Sequence, residues 1–384
     1  MFIELHIIQN FAPSNLNRDD NNAPKDAMFG GYRRARISSQ CIKRSARKYM
    51  EEHQLVELEL LGLRTKRILD RIVEELVKRG RNEEKAKAIT VISLGGMGLE
   101  LTDDDQTQYL LYLASDGVNA FADACEQVWD QLLPLIDANS DEKEKDSKKR
   151  KKAAINKVKE IIGTSGIKQL ESLLDGKKAI DLALFGRMLA DLATKNIDAA
   201  CQVAHAISTN EVNMEMDFYT AVDDLRPADN PGAGMMGIVE FNSSCFYRYS
   251  VIHWEQLLNN LDGDIELARK AVDAYITATI RAIPTGKQNS MAALNPPVYV
   301  RAMVRDKGEP WNLANAFMDP VRPSRNNRDD GDLGKRSIDK LESYLKQLKK
   351  IYGDTGEADW NCNLYNQNSP SLEGITQKVL EGLS

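Results

Sequence analysis

The chain has 384 residues, enough at about 150 residues per domain for two or three domains, or for one domain with large insertions. Its 42% hydrophobic and 28% charged residues are ordinary for a globular protein, which excludes a disordered, collagen-like or disulfide-scaffold chain. With 51 Lys and Arg against 57 Asp and Glu the net charge is −6, so a polyanionic partner has to be bound by a local patch.

Alternating apolar residues predict a strand where the chain begins. Ile3, Leu5 and Ile7 recur at every second position, the period of a half-buried strand. Residues 10–31, rich in Asn, Asp, Pro and Gly, are too long for a simple connection, so we expect a functional or ligand-ordered loop. The first residues do not resemble a secretory signal and no apolar run reaches the roughly 18 residues of a membrane span, so we expect a cytoplasmic protein without membrane contact.

Three carboxylates lie in this loop: Asp19, Asp20 and Asp26. They have the chemistry to hold Mg²⁺ for phosphodiester cleavage, although paired acids in a loop more often form a stabilising network. The five cysteines and four histidines are scattered and include no C-x-x-C motif, so we expect neither a structural zinc site nor a disulfide framework, and no cofactor. His205 and His253 have no visible acid–base partner and are interpreted as structural.

Basic residues are concentrated between Ala27 and Met50, where there is no acid. They are Arg33, Arg34, Arg36, Lys43, Arg44, Arg47 and Lys48. A helix is predicted to start at Ser38, with Ser38 or Ser39 as its N-cap. In that helix the last four cations span an arc of roughly 140° that also contains Gln40. An ordinary solvated helix remains an alternative, but the lack of acids favours contact with a phosphate backbone.

Between Glu51 and Lys178 the apolar residues, including those around Leu110–Leu113, follow helical spacing, which predicts a helical insertion. Residues 141–152 of this region contain four acids and seven bases. We interpret this run as a solvated loop or helix face, and contact of Lys148–Lys152 with a displaced DNA strand stays an open alternative.

A long, acidic hairpin is predicted over Asn210–Asn230, followed by a turn at Asp229–Gly232. This stretch has six acids against Arg226 alone, so charge attraction cannot hold it on phosphates. Its large apolar side chains either wedge between bases, where stacking is worth about 1–3 kcal/mol per base, or pack on the hairpin's own core or on a partner subunit. These side chains are Met214, Met216, Phe218 and Tyr219.

The remaining sequence predicts a strand over 241–252, a helix over 265–283 and a strand over 297–304, which together give a mixed sheet with helices. Thr285–Asn289 is not a Walker motif, because Arg281 and Gln288 occupy positions that such a motif gives to Gly and to Ser or Thr. Lys287 and Gln288 are either polar contacts to RNA at a strand edge or ordinary loop residues.

The ordered set of motifs along the chain closely resembles the CasC-type backbone subunit of the type I-E CRISPR Cascade complex, a member of the RAMP superfamily. The matching stretches are Asn17–Asp20, Lys25–Ala27, Phe29–Gly31, Arg33–Gln40, Lys43–Arg44, Gly186–Met188, Ala204–Ile207, Phe218–Asp224, Phe246–Tyr249, Lys287–Gln288, Asn295–Pro296 and Ala314–Phe317. The resemblance covers most of the chain except the helical insertion, where only length and helicity agree.

This resemblance implies an α+β fold that looks like a right hand. The palm, a modified RRM (ferredoxin-like) domain, would comprise residues 1–55, 181–207 and 241–384. The helical fingers would be an insertion at 56–180, and the thumb a β-hairpin at 208–240.

The resemblance also implies a non-enzymatic protein that polymerises head-to-tail along CRISPR RNA with other Cascade subunits. It would kink the guide at regular intervals and present it for pairing with target DNA, while a separate helicase-nuclease degrades the target. Guide phosphates and sugars would be contacted by Arg18, Lys25, Ser38, Gln40, Lys43, Arg44 and Arg47. Met188 would press on the RNA near the kink, and Phe218 and Tyr219 would insert into the duplex. The alternative is a metal-dependent endoribonuclease of the same superfamily that uses Asp19, Asp20 or Asp26.

Overall fold

A computed structural model describes residues 1–96, 99, 101–108, 110–114, 117–137, 155–156, 160, 179–188, 196–221, 235–323, 332–353 and 358–383. Its contacts divide the chain into two units. The first comprises Met1–Leu55, Cys201–Glu255 and Arg269–Ser384, and the second comprises Val56–Ala200 and Gln256–Ala268. Residues 181–200 therefore fall in the second unit, whereas the resemblance places 181–207 in the palm. The charged run 141–152 lies outside the described residues.

The described strands are, in chain order, β1 (Phe2–Ser14), β2 (Asp26–Phe29), β3 (Tyr32–Ile37), β4 (Gly62–Thr65), β5 (Leu111–Ala114), β6 (Cys201–Val203), β7 (Ala206–Ser208), β8 (Glu215–Ala221), β9 (Met235–His253), β10 (Tyr299–Arg305) and β11 (Ala358–Asn363). The helices are α1 (Ser39–Glu52), α2 (Ile68–Lys78), α3 (Glu83–Gly96), α4 (Gly117–Asp137), α5 (Ile180–Phe185), α6 (Trp254–Asn260), α7 (Ile265–Arg281), α8 (Gln288–Met291), α9 (Leu333–Tyr352) and α10 (Leu372–Glu381), with 3₁₀ turns at Leu58–Leu60 and Leu313–Phe317.

An antiparallel sheet in the order β11-β10-β1-β9-β7-β3-β2 forms the centre of the first unit, and β6 and β8 also pair with β9. The long strand β9 serves two purposes. Its first residues pair with β8, from Glu215↔Phe241 to Ala221↔Met235, and extend as the predicted hairpin. Its later residues pair with β1, from Ser14↔Asn242 to Phe2↔His253. The expected mixed architecture of sheet and helices is confirmed, and the predicted turn at 229–232 lies outside the described residues.

Strand β1 differs from the half-buried strand that its alternation predicts, because both of its faces are buried. Ile3, Leu5 and Ile7 are buried on one face, but Glu4 and His6 are fully buried on the other. Glu4 forms an ion pair with Arg305 and accepts hydrogen bonds from the Tyr249 hydroxyl (2.8 Å) and the Trp311 amide (2.7 Å). Glu4, which pattern reasoning places in solvent, is thus paired and hydrogen-bonded internally, as a buried charge must be.

The second unit has its own core, formed by apolar faces of α2, α3 and α4 that include Ile72, Leu76, Ile89, Phe121 and Trp129. One segment differs from the helical prediction: Leu111–Ala114 is strand β5, paired with Gly62–Thr65. Leu111 and Leu113 are buried in this two-stranded sheet. The helical prediction is wrong here because a short apolar run does not distinguish a buried strand from a buried helix. Among the described residues, no helix is long and apolar enough to cross a membrane.

His6 makes the stability of the first unit dependent on pH. Its Nδ1 lies 2.9 Å from the Tyr247 hydroxyl, and burial, with the charges of Arg301 and Arg305, lowers the pKa of His6 from 6.5 to about 3. The unfolded chain therefore binds the extra proton between these values, and stability present above pH 6.5 is lost as the pH falls toward 3.

We expect His6→Asn, which keeps a polar atom near Tyr247 and does not titrate, to remove this dependence. Between pH 6.5 and 5.0 the wild type should lose about 2 kcal/mol of unfolding free energy more than the variant, at about 1.4 kcal/mol per pH unit. Urea denaturation of both proteins at the two pH values measures the difference. Parallel losses in the two proteins would contradict this account of His6.

Candidate nucleic-acid interface

Helix α1 begins at Ser39, one residue after the predicted start, and its N-cap is one of the two predicted serines. Ser38 is the N-cap, and its hydroxyl oxygen accepts a hydrogen bond from the Cys41 amide. Ile42, Ala46 and Met50 are buried, so the apolar edge anchors the helix. On the remaining surface Gln40 and Arg44 are exposed, while Lys43 and Arg47 are partly exposed.

The loop before β2 is held in place by hydrogen bonds of Asn17, and it carries two further cations, Arg18 and Lys25. The Asn17 side chain accepts a hydrogen bond from the Ser38 amide (2.8 Å), and the Asn17 carbonyl accepts one from the Lys25 amide (2.8 Å). Arg18 pairs with Pro24 in an isolated bridge. The loop is therefore held directly at the N-terminus of α1, and Arg18 and Arg44 line the same open cavity of about 340 Å³. We call Arg18, Lys25, Gln40, Lys43, Arg44 and Arg47 the basic face.

Three other cations of residues 27–50 bind partners within the protein. Arg33 forms an ion pair with Asp26, and Lys48 forms one with Glu51. Arg34 is fully buried and donates to four backbone carbonyls, those of Ser208, Thr209, Phe317 and Met318. Counting charges along the sequence therefore overstates the cations that a partner meets. Within the described ranges, no carboxylate forms an ion pair with Arg18, Lys25 or Arg44.

Of the three carboxylates considered as metal ligands, Asp19 and Asp26 bind partners within the protein and Asp20 is exposed to solvent. One oxygen of Asp19 accepts hydrogen bonds from the amides of Asn21 and Ala23, both at 2.9 Å, which closes a turn. Asp26 is paired with Arg33, and Asp20 is exposed. In the part of the chain that is described, no three His, Cys, Asp or Glu side chains lie close enough together to bind a metal ion. The arrangement favours the loop-stabilising interpretation.

The segment 284–293 borders the same cavity. The backbone at Gly286 lies so close to the preceding loop that a Cβ there would be 2.4 Å from the Leu16 carbonyl oxygen. Lys287 is partly exposed, whereas the Gln288 amide turns back to donate to the carbonyls of Pro284 (3.0 Å) and Ala293 (3.4 Å). Gln288 therefore shapes its own loop, and of the two predicted contact residues Lys287 is the one whose side chain is not shown bonded within the loop.

The hairpin of β8 and β9 separates its two aromatic residues onto opposite faces. Phe218 is 71% exposed and pairs with Ile238, on a face that also carries Met216 and Met236. Tyr219 is 44% exposed and lies over Gly237, where a Cβ would be 2.4 Å from the ring. Met214 is only partly exposed, and its sulfur contacts the Asn242 amide at 3.9 Å. The apolar hairpin face is therefore Met216, Phe218, Met236 and Ile238.

Met188 belongs to the second unit, where it follows the bridge of Arg187 with Ile197 and is 83% exposed. The structure places it at the surface of its own unit, as an accessible contact residue must be.

One residue interpreted as structural lies at the basic face. The Nδ1 atom of His205 accepts a hydrogen bond from the Ser39 amide, 3.0 Å away, at the first residue of α1. Burial, followed by the positive charges of Arg36 and Lys25, lowers the pKa of His205. Sequence reasoning missed this position because the partner is a backbone group 166 residues away.

A model of the CT1975-like protein family matches residues 3–382. A chain of a solved structure described as "CRISPR RNA-guided surveillance complex, pre-nicking" is 28% identical, with a TM-score of 0.83 and both chains covered in full. A chain of a second structure, "CRISPR RNA-guided surveillance complex", is 24% identical over the full length of both chains, with a TM-score of 0.72. At this identity the similarity shows a shared fold only. No curated protein matches the chain.

We expect Gly286→Ala to displace the 284–293 segment from the loop at Leu16 and to lower stability by about 1–3 kcal/mol, the usual cost of overpacking. The matched control is Gly374→Ala in α10, where the new Cβ meets the Ser371 hydroxyl at an ordinary 3.4 Å. That change should be neutral or stabilise by up to about 1 kcal/mol, since alanine favours helix. Chemical denaturation compares the two, and equal stabilities would contradict the close approach.

Proposed function

The chain belongs to the CT1975-like protein family, and from this membership we propose that it is a non-catalytic, CasC-type backbone subunit of a CRISPR RNA-guided surveillance complex. The observation that carries the proposal is the basic face, a cationic surface in a protein whose net charge is −6. A cationic surface of this kind binds a polyanion. CRISPR RNA is the polyanion named in the description of the similar solved structure.

The guide is bound through its backbone rather than through its sequence. Arg18, Lys25, Lys43, Arg44 and Arg47 contribute point charges, each of which releases counterions when it meets a phosphate. Gln40 adds a neutral contact, and Lys287 extends the charge along the cavity edge. Ser38 contributes through its cap, which fixes the first turn of α1. Backbone contacts position the strand without reading it, so any guide sequence is accepted.

The apolar hairpin face acts on bases. Since Phe218 is exposed on a face with two methionines and an isoleucine, it offers a stacking surface where bases are splayed apart. The Tyr219 ring lies against Gly237 of the same hairpin, so its role is to stabilise the hairpin rather than to insert between bases. Met188 presses on the RNA where the strand kinks. The guide so held pairs with target DNA, and base pairing supplies the specificity.

A guide longer than one binding site requires repeated copies of the subunit. Because equivalent surfaces must recur along the strand, the contacts between copies are heterologous and head-to-tail. We propose that such copies assemble with the other subunits of a type I-E Cascade complex in the cytoplasm, with palm, fingers and thumb as the resemblance assigns them. No cofactor is needed for this function, since neither binding nor pairing makes or breaks a covalent bond.

We expect Lys43→Ala to weaken binding of single-stranded RNA to a similar degree for unrelated sequences. The plot of log affinity against log salt concentration should become shallower by about 0.7 to 1 unit, the value for one lost phosphate contact. Fluorescence anisotropy at several salt concentrations measures the slope. Lys346→Ala, at an exposed position of α9, is the matched control and should leave both affinity and slope unchanged. An unchanged slope in Lys43→Ala would count against the basic face.

We expect Phe218→Ala to reduce capture of target DNA by the assembled complex more than it reduces guide binding. Loss of one stacked base at about 1–3 kcal/mol predicts a decrease of roughly 5-fold to 150-fold. Tyr219→Ala should have the smaller effect, because its ring lies against Gly237. Gel-shift titrations with guide alone and with target duplex separate the two steps. Equal losses of guide and target by Phe218→Ala would be incompatible with the proposed role of the apolar face.

A further inference from the structure

His205 is held in a defined orientation by the main chain of α1. The hydrogen bond from the Ser39 amide to Nδ1 is 3.0 Å long, and it uses one of the amides at the helix N-terminus that have no partner within the helix. The His205 side chain is nevertheless exposed. The ring is therefore anchored on its Nδ1 side and open on the other.

This contact fixes the protonation state of the ring. An amide N–H is only a donor, so Nδ1 has to keep its lone pair, and a neutral ring then carries its proton on Nε2. Within the described part of the chain, Nε2 has no hydrogen-bond partner. The lowered pKa of His205 agrees with a neutral ring at physiological pH. Nε2–H is thus a single, oriented and unused donor.

The surroundings of this donor favour an anionic or strongly polar acceptor. The charges of Arg36 and Lys25 act on His205, and the ring sits at the N-terminus of α1, the positive end of the helix dipole. The Ser39 hydroxyl in turn contacts the amide oxygen of Gln40, at 3.4 Å, which belongs to the basic face. His205 therefore lies beside two members of the basic face: Lys25, whose charge acts on its ring, and Gln40, which contacts the Ser39 hydroxyl.

We propose that Nε2–H of His205 donates a hydrogen bond to an oxygen of the guide's ribose-phosphate backbone. The inference rests on the proposed function and extends it, because it adds a neutral donor to a surface otherwise made of cations. His205 also has a positioning effect through Ser39, and the two roles call for different atoms: Nδ1 for the helix and Nε2 for the RNA. That difference makes them separable by substitution.

Two variants each keep one of the two hydrogen-bonding groups of the His205 ring. In His205→Asn the side-chain oxygen occupies the place of Nδ1, so the bond from the Ser39 amide is kept and the donor at the position of Nε2 is lost. In His205→Gln the amide nitrogen reaches the position of Nε2, so the donor is kept. The matched control is His253→Asn, at an exposed histidine whose ring contacts Glu255 (3.2 Å) and stacks on Phe2.

Affinity for single-stranded RNA is measured by fluorescence anisotropy at pH 7.5 and several salt concentrations, with thermal unfolding as a check on folding. His205→Asn should bind about 3-fold to 10-fold more weakly, the usual effect of one hydrogen bond to a charged or polar group. Its salt slope should equal that of the wild type, since a neutral donor releases no counterion. His205→Gln should recover most of the affinity, and His253→Asn should match the wild type.

The same titration with DNA of identical sequence identifies the acceptor. A phosphate acceptor gives the same loss with both strands, and a ribose 2′-hydroxyl gives a loss with RNA only. Wild-type affinity in His205→Asn, with Lys43→Ala still weakened, would overturn this inference and leave the proposed function standing. Failure of the wild-type protein to bind RNA would overturn both.

Discussion

The side chain and carbonyl of Asn17 hold the loop of residues 15–25 against the N-terminus of α1, and the interface depends on this connection. One residue accepts the amides of Ser38 and Lys25, which joins the loop that carries Arg18 to the helix that carries Lys43 and Arg44. Without it, the loop that carries Arg18 would have to be ordered by the ligand, and that ordering costs free energy on binding. A preformed surface avoids the cost.

The second requirement is that an acidic protein keep a cationic surface. Two of the nearby acids are engaged locally, since Asp19 closes a turn and Asp26 is paired with Arg33. More distant acids matter little, because charges in solution are screened over about 8 Å at physiological ionic strength. The net charge of −6 is therefore compatible with a positive field at α1. Local pairing, more than composition, decides which partner the surface accepts.

Much of this organisation was predictable from sequence. The cap at Ser38, the start of α1 to within one residue and the hairpin of β8 and β9 follow from local patterns, and the structure confirms them. Patterns failed where tertiary contacts decide. Arg34 appears as one cation among seven but is buried on four carbonyls, and Glu4 and His6 appear solvent-facing but lie in the core. The partner of His205 is equally invisible, since no local rule connects it with the amide of Ser39.

The hairpin shows how alternation alone can orient an arm toward nucleic acid. Glu215 and Asp217 lie on the face of Tyr219, whereas Met216 and Phe218 lie on the other, with Glu240 as the acid at its base. Under the proposed function, phosphates would repel the acidic face, so the hairpin would approach a duplex with its apolar face forward. It would then contact bases rather than backbone. In this proposal the basic helix binds the phosphates of the polyanion, and the acidic hairpin acts on its stacked bases.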